Sequence, residues 1–161
     1  MRSDYLNESS GKGNKDLKLV PIGAAATLTE DMSGSIIVWD AAQGTELTLP
    51  SAKAGMHFQI LFKTDSKNDA TAKINAASGD CFFGQILVMS TTDDVDAVQN
   101  VPHGGTVADS NVLTFDSNAN TSGGLSGDMI EIIAVDETYW CLASCHLTTE
   151  GTNPASIAVA A

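Results

Sequence analysis

Positive charge is scarce in this chain of 161 residues. Eight Lys and Arg stand against twenty Asp and Glu, a formal net charge of −12. A field of that sign repels phosphate, so neither nucleic acid nor an anionic membrane is an expected partner. The imbalance is uneven. In residues 1–18 four cations face three acids, leaving +1; beyond them four cations face 17 acids, leaving −13.

Cysteine is also scarce. An odd set of three, Cys81, Cys141 and Cys145, is no disulfide framework. Cys141-x3-Cys145-His146 has a superficial metal-like spacing, but a structural zinc needs a fourth ligand and none is apparent. No apolar run approaches the roughly 20 residues that span a bilayer. The first 18 residues contain no apolar stretch like that of a signal peptide, so a protein made and folded in the cytoplasm is expected. No long segment repeats its apolar residues with the 3.6 period of a helix.

What remains is strand and turn. The apolar share is 43% and the charged share 17%, and the polar remainder is mostly Ser, Thr, Asn and Gly. In Met56–Thr64, Met56, Phe58, Ile60 and Phe62 fall on one face and His57, Gln59, Leu61 and Lys63 on the other. Ser35–Asp40 is β-branched and aromatic. Thr45–Pro50 alternates, and Phe82–Met89 is a longer apolar strand with a bulge expected at Gly84. Asp128–Val135 and Thr138–Leu142 flank Asp136-Glu137 as a hairpin, with Ile130, Ile132 and Ala134 on one face. About eight to ten such strands, with turn signals every ten or so residues, predict an all-β domain: a jelly-roll-like sandwich or barrel of short antiparallel strands. The expected organisation is an extended N-terminal arm over 1–22, a β domain over 23–147 and a C-terminal tail over 148–161.

No catalytic constellation emerges, and an enzyme is not expected. His103 precedes Gly104-Gly105, but no G-x-S-x-G elbow accompanies it. Cys145 and His146 are neighbours on a strand and point to opposite faces, which prevents a nucleophile–base pair. The acidic pairs Glu30-Asp31, Asp93-Asp94 and Asp136-Glu137 fall at turns, where carboxylates cap backbone amides. Asp116-x-Asn118-x-Asn120 opens like a calcium loop. It then places Thr121 where Gly is needed and Gly127 where a bidentate Glu is needed. No cofactor is expected. Trp39, Phe58, Phe62 and Trp140 are expected in the core or an interface.

Several segments share a cadence with small β-rich virion proteins of tailed phages. They are Leu28-Thr-Glu-Asp-Met-Ser-Gly34, Ile36-Ile-Val-Trp-Asp-Ala-Ala42, Leu47-Thr-Leu-Pro50, Ala54-Gly-Met-His-Phe58 and Gly127-Asp-Met-Ile-Glu-Ile132, followed by Tyr139-Trp140. Over about Leu28–Leu142 the chain resembles the tailed-phage capsid decoration, or cement, proteins. It departs from them at the hairpin, where a usual Asp-Gly-Thr-Asn-Trp-Tyr reads Asp136-Glu-Thr-Tyr-Trp-Cys141. The resemblance implies a structural protein on the outer surface of the virion capsid. Its partners would be the major capsid protein and two further copies of itself, as a homotrimer. The arm, with Arg2, Tyr5, Leu6, Lys12, Lys15, Leu17 and Lys18, would dock on the shell. The alternative expectation is a tail-fibre or head-fibre module that binds a host receptor or glycan, motivated by the same β scaffold with Trp39, Trp140 and long polar loops.

Overall fold

The computed structural model describes residues 17–40, 45–66, 72–90, 97–101, 110–115, 123–149 and 158–160. Among them are twelve strands and one 3-10 turn, Glu30–Met32. The strands are β1 (Leu19–Ile22), β2 (Ala26–Thr27), β3 (Ile36–Trp39), β4 (Glu46–Thr48), β5 (His57–Phe62) and β6 (Ala72–Asn75). They continue as β7 (Cys81–Ser90), β8 (Ala97–Val101), β9 (Val112–Phe115), β10 (Met129–Ala134), β11 (Tyr139–Thr149) and β12 (Ala158–Ala160). They form a seven-stranded sheet A, ordered β1-β3-β5-β10-β11-β7-β8, and a five-stranded sheet B, ordered β12-β9-β6-β4-β2.

The all-β expectation holds; the antiparallel one holds for only part of the molecule. From β1 to β6 the chain changes sheet at every turn. Each strand therefore returns beside its predecessor in the same direction, and β1–β3, β3–β5, β2–β4 and β4–β6 are parallel. Antiparallel pairing begins where the chain folds straight back, at β7–β8 and β10–β11. Alternation of apolar residues sets which face is buried, but it is the same for both strand directions.

Two boundaries shift. Leu19–Ile22, expected within the arm, are the edge strand of sheet A, because Val20 and Ile22 turn toward the core. Pro21 withholds an N–H from that edge, a common way of blunting one. At the other end Thr148 and Thr149 belong to β11, and Ala158–Ala160 pair with β9.

Inward residues of the two sheets form one core. Trp39, Phe62 and Phe115 make an aromatic triad with centroids 5.1–6.2 Å apart, and Phe58 packs on Trp140 at 5.9 Å. Both indole N–H groups are satisfied internally: Trp39 donates to Thr45 Oγ1 at 2.7 Å and Trp140 to Asp80 Oδ2 at 3.4 Å. Burying each large side chain contributes about 1.5–3 kcal/mol.

The expected bulge exists, but its extra residue lies across the ladder from Gly84. In β11, Leu142 pairs with Gly84 and His146 with Leu87, so three residues face two. The β10 side agrees: Glu131 pairs with Ser144 and Ile132 with Leu142, leaving Ala143 unmatched. Gly84 remains essential to the irregularity, because the two backbones approach closely there.

Candidate functional site

The outward faces of the two sheets differ in kind. On sheet B, Thr27, Thr48, Asn75 and the half-buried Val112 form one cross-strand row, and Glu46, Lys73 and Thr114 another. Lys73 pairs with Glu46 at 3.3 Å. A polar row of this type is the usual solvent side of a sandwich.

Sheet A carries apolar side chains outward instead. Register places Pro21, Val38, Leu61, Met129, His146 and Leu87 in one row across six adjacent strands. A second row runs Leu19, Ile36, Gln59, Glu131, Ser144, and a third His57, Ile133, Cys141, Phe83. Met129 is 43% exposed, Val135 46% and Leu19 60%. Phe83 meets Tyr139 edge-on at 6.2 Å on the same face. The second row is polar at its centre, and most of the apolar residues in these rows are half-buried, yet outward apolar rows over six strands mark an interaction site more often than free surface.

The bulge dents this face. A cavity of about 460 Å³ opens beside Ala143, lined by Gln85, Leu87, Cys141, Ser144, Cys145 and His146 among others. Its two thiols are not activated. Cys145 is 3% exposed and burial pushes it up to about 12; burial also raises Cys141. Burial, then the neighbouring Asp80, raises Cys81. Thiolate is the reactive form, so all three stay protonated at neutral pH. Maleimide should label Cys81 and Cys145 only after denaturation, as mass spectrometry of native and unfolded protein would show. Native labelling of Cys145 within minutes would contradict this. Cys145 points into the core and His146 lies exposed on the outer face. Among the described residues no group of three or more His, Cys, Asp or Glu could hold a metal ion.

Of the expected docking residues, Arg2, Tyr5, Leu6, Lys12 and Lys15 lie outside the described residues, as do His103, the acids 93–96 and most of the calcium-like loop. Leu17 is 71% exposed, and Lys18 Nζ donates to the Asp31 carbonyl at 3.1 Å. Trp39, Phe58, Phe62 and Trp140 are all fully buried. Asp136 Oδ1 accepts from the amides of Thr138 and Tyr139, each at 2.8 Å, as a turn carboxylate does.

Sequence reasoning missed two buried carboxylates that hold turns to the strands, Asp80 and Asp128. Asp80 Oδ2 accepts from Ala52 N at 2.8 Å as well as from Trp140. Asp128 gathers four donors. Oδ2 accepts from Gly124 N and Leu125 N at 3.0 Å and Thr148 N at 2.7 Å, and Oδ1 accepts from the Thr148 hydroxyl at 2.7 Å. The available signal was a Gly-Asp pair just before an alternating strand, where an acid closes the preceding turn and cannot point to solvent without breaking it.

In comparisons with known proteins, no family model, no curated protein and no solved structure matches the chain.

Proposed function

We propose that this chain is a structural virion protein that binds the outer surface of a phage capsid and stabilises the shell. One observation supports the reading beyond the sequence cadence: the outer face of sheet A is richer in apolar side chains than the mainly polar outer face of sheet B. A polar sheet B suits solvent outside a shell, and a charge-poor apolar sheet A suits burial in an assembly. A protein that binds only the assembled lattice stabilises it by mass action, without chemistry. The major capsid protein and further copies of the chain, as a homotrimer, are the partners this reading requires. The jelly-roll-like comparison and the docking arm belong to the same reading.

The glycan-binding alternative loses the tryptophans from its motive. Trp39 and Trp140 are 0% exposed, and neither presents a ring to a sugar.

The test is decoration of expanded, undecorated tailed-phage heads by the purified chain, read by cryo-EM occupancy and by resistance of the heads to heat. Removing residues 1–16 spares β1 and should weaken attachment about tenfold or more, which is about 1.4 kcal/mol, with an unchanged circular dichroism spectrum. Equal occupancy by the shortened chain would remove the arm from the mechanism. No binding by the full chain to any such head would remove the capsid reading itself.

A further inference from the structure

We infer that the cavity at the β11 bulge is a binding site for an uncharged carboxamide, the side chain of an asparagine or glutamine that the capsid partner presents to sheet A. The inference deepens the proposed function by naming the chemistry of the partner at that face, and it rests on that reading for the partner's identity.

The first argument is the broken ladder. β7 and β11 pair in register up to Gly84 and Leu142 and resume at Leu87 and His146. Between those points Gln85 and Ile86 have no register partner in β11, and Ala143, Ser144 and Cys145 have none in β7. On the other side of β11, Ala143 is unmatched in β10 as well. A bulge leaves main-chain N–H and C=O groups outside the ladder. Such groups are met by solvent or by a ligand. The cavity opens at this gap, with Gln85 and Leu87 on the β7 side and Cys141 to His146 on the β11 side. An amide carries an N–H donor beside a C=O acceptor, the pair that an unbroken strand would have offered there.

The second argument is the lining. Among the described residues around the cavity none is Asp, Glu, Lys or Arg. Gln85, Ser144 and His146 supply its polar side chains, and Leu87, Leu142 and Ala143 its apolar ones. The Gln85 carboxamide itself holds a donor and an acceptor side by side, so a second carboxamide pairs with it at both atoms. A carboxylate would set acceptor against acceptor there. It would also bring a charge into a neutral site on a chain of net charge −12. Glu131, which faces Ser144 across the β10–β11 ladder, keeps anions out further. An ammonium would find no carboxylate in the lining. At about 460 Å³ the cavity is near the lower end of the range for ligand sites, enough for one polar side chain with its flanking peptide groups.

The probe is the blocked dipeptide acetyl-leucyl-glutamine amide, titrated into the isotope-labelled full chain and followed by backbone amide NMR shifts. Shifts should be confined to Gln85–Leu87, Cys141–His146 and their ladder neighbours, with a dissociation constant on the order of 1 mM. Acetyl-leucyl-glutamate amide, the charged isostere, should bind at least about tenfold more weakly, and Gln85→Leu should weaken the glutamine peptide by about as much. Thr48→Glu, on the opposite sheet, should bind as the wild type does. Gln85 is exposed, so its replacement leaves the core packing alone. Ser144→Ala, with a loss of about threefold, serves if Gln85→Leu does not fold. The comparison of the two peptides on the unaltered chain is independent of variant folding. No shifts at about 10 mM peptide, equal binding of the glutamine and glutamate peptides, tighter binding of acetyl-leucyl-lysine amide, or full binding by folded Gln85→Leu would each overturn the inference. Capsid binding is scored separately. A chain that takes the glutamine peptide at this cavity but decorates no head sinks the capsid reading alone. Heads decorated equally by the wild type and by Gln85→Leu sink this inference alone.

Discussion

Replacing Asp128 by Ala should lower the unfolding free energy by about 3–5 kcal/mol, because it orphans several donors in a buried site at once. The carboxylate is 7% exposed and holds the amides of Gly124, Leu125 and Thr148 and the hydroxyl of Thr148. It thereby joins the turn before β10 to the far end of β11. Asp128→Asn keeps an acceptor and should cost less, about 1–2 kcal/mol. Urea unfolding of the three proteins measures this, and a loss under about 1 kcal/mol for Ala would show that the turn re-pairs without its acid.

The same residue gives stability a pH signature. Burial pushes the Asp128 carboxyl above the ordinary value of 3.8, against its hydrogen bonds, led by that from the Thr148 hydroxyl. All three amides use Oδ2, so a proton on Oδ1 requires only that the Thr148 hydroxyl rotate from donor to acceptor. A raised folded pKa means the native state holds the proton more tightly than the unfolded chain. Its contribution is fully present below 3.8 and is lost as pH rises through the raised value. Asp31 acts oppositely. Its carboxyl is lowered first by the hydrogen bond from Thr29, and its contribution is lost as pH falls below 3.8. Asp128→Asn should remove the decline above 3.8 and leave the one below it. A decline in the upper window that persists in Asp128→Asn would assign it to another group.

Gly84→Ala should be comparably damaging, about 3 kcal/mol or more. Its φ is +130°, where only glycine is at ease. An added Cβ would lie 2.8 Å from the Leu142 carbonyl oxygen and 3.1 Å from the Leu142 nitrogen. Those atoms are backbone, held by ladders to both β10 and β7, and they cannot step aside. Gly55 separates the two causes. Its φ is +89°, but an added Cβ there meets nothing within 4 Å. Gly55→Ala should thus cost only the backbone preference, about 1–2 kcal/mol. Thermal melts of both variants make the comparison, and equal losses would mean the contact with Leu142 relaxes.

Much of this molecule is legible in its residues. The period of two in Met56–Phe62 and Met129–Ala134 assigns every inward side chain correctly. It fails in β11, where Leu142 and Cys145 both point inward, three positions apart. Ala143 breaks the alternation there, so the strand reads as ending at Leu142 although it runs to Thr149. Strand direction was hidden for a different reason: hydrophobic patterning defines a face and carries no arrow. The apolar outer face of sheet A was half visible. Leu61, Met129 and Ile133 stand out as apolar residues on the wrong side of their strands. Only the register shows that Leu61 and Met129 share a row with Pro21, Val38 and Leu87, and that Ile133 lies two rows away with Phe83.

The strand order of sheet A also dictates when the protein can become whole. The hairpin β10–β11 sits between β5 and β7, yet it is made after both. A nascent chain that has not reached Met129 therefore holds two open strand edges flanking a vacant double slot, a template for wrong partners. The hairpin itself is local and can form in microseconds, whereas each parallel partner upstream must first close a loop through the opposite sheet. Folding thus waits on a late, fast-forming wedge. Chains cut short before Thr149 are the ones that should aggregate, whatever the stability of the finished sandwich.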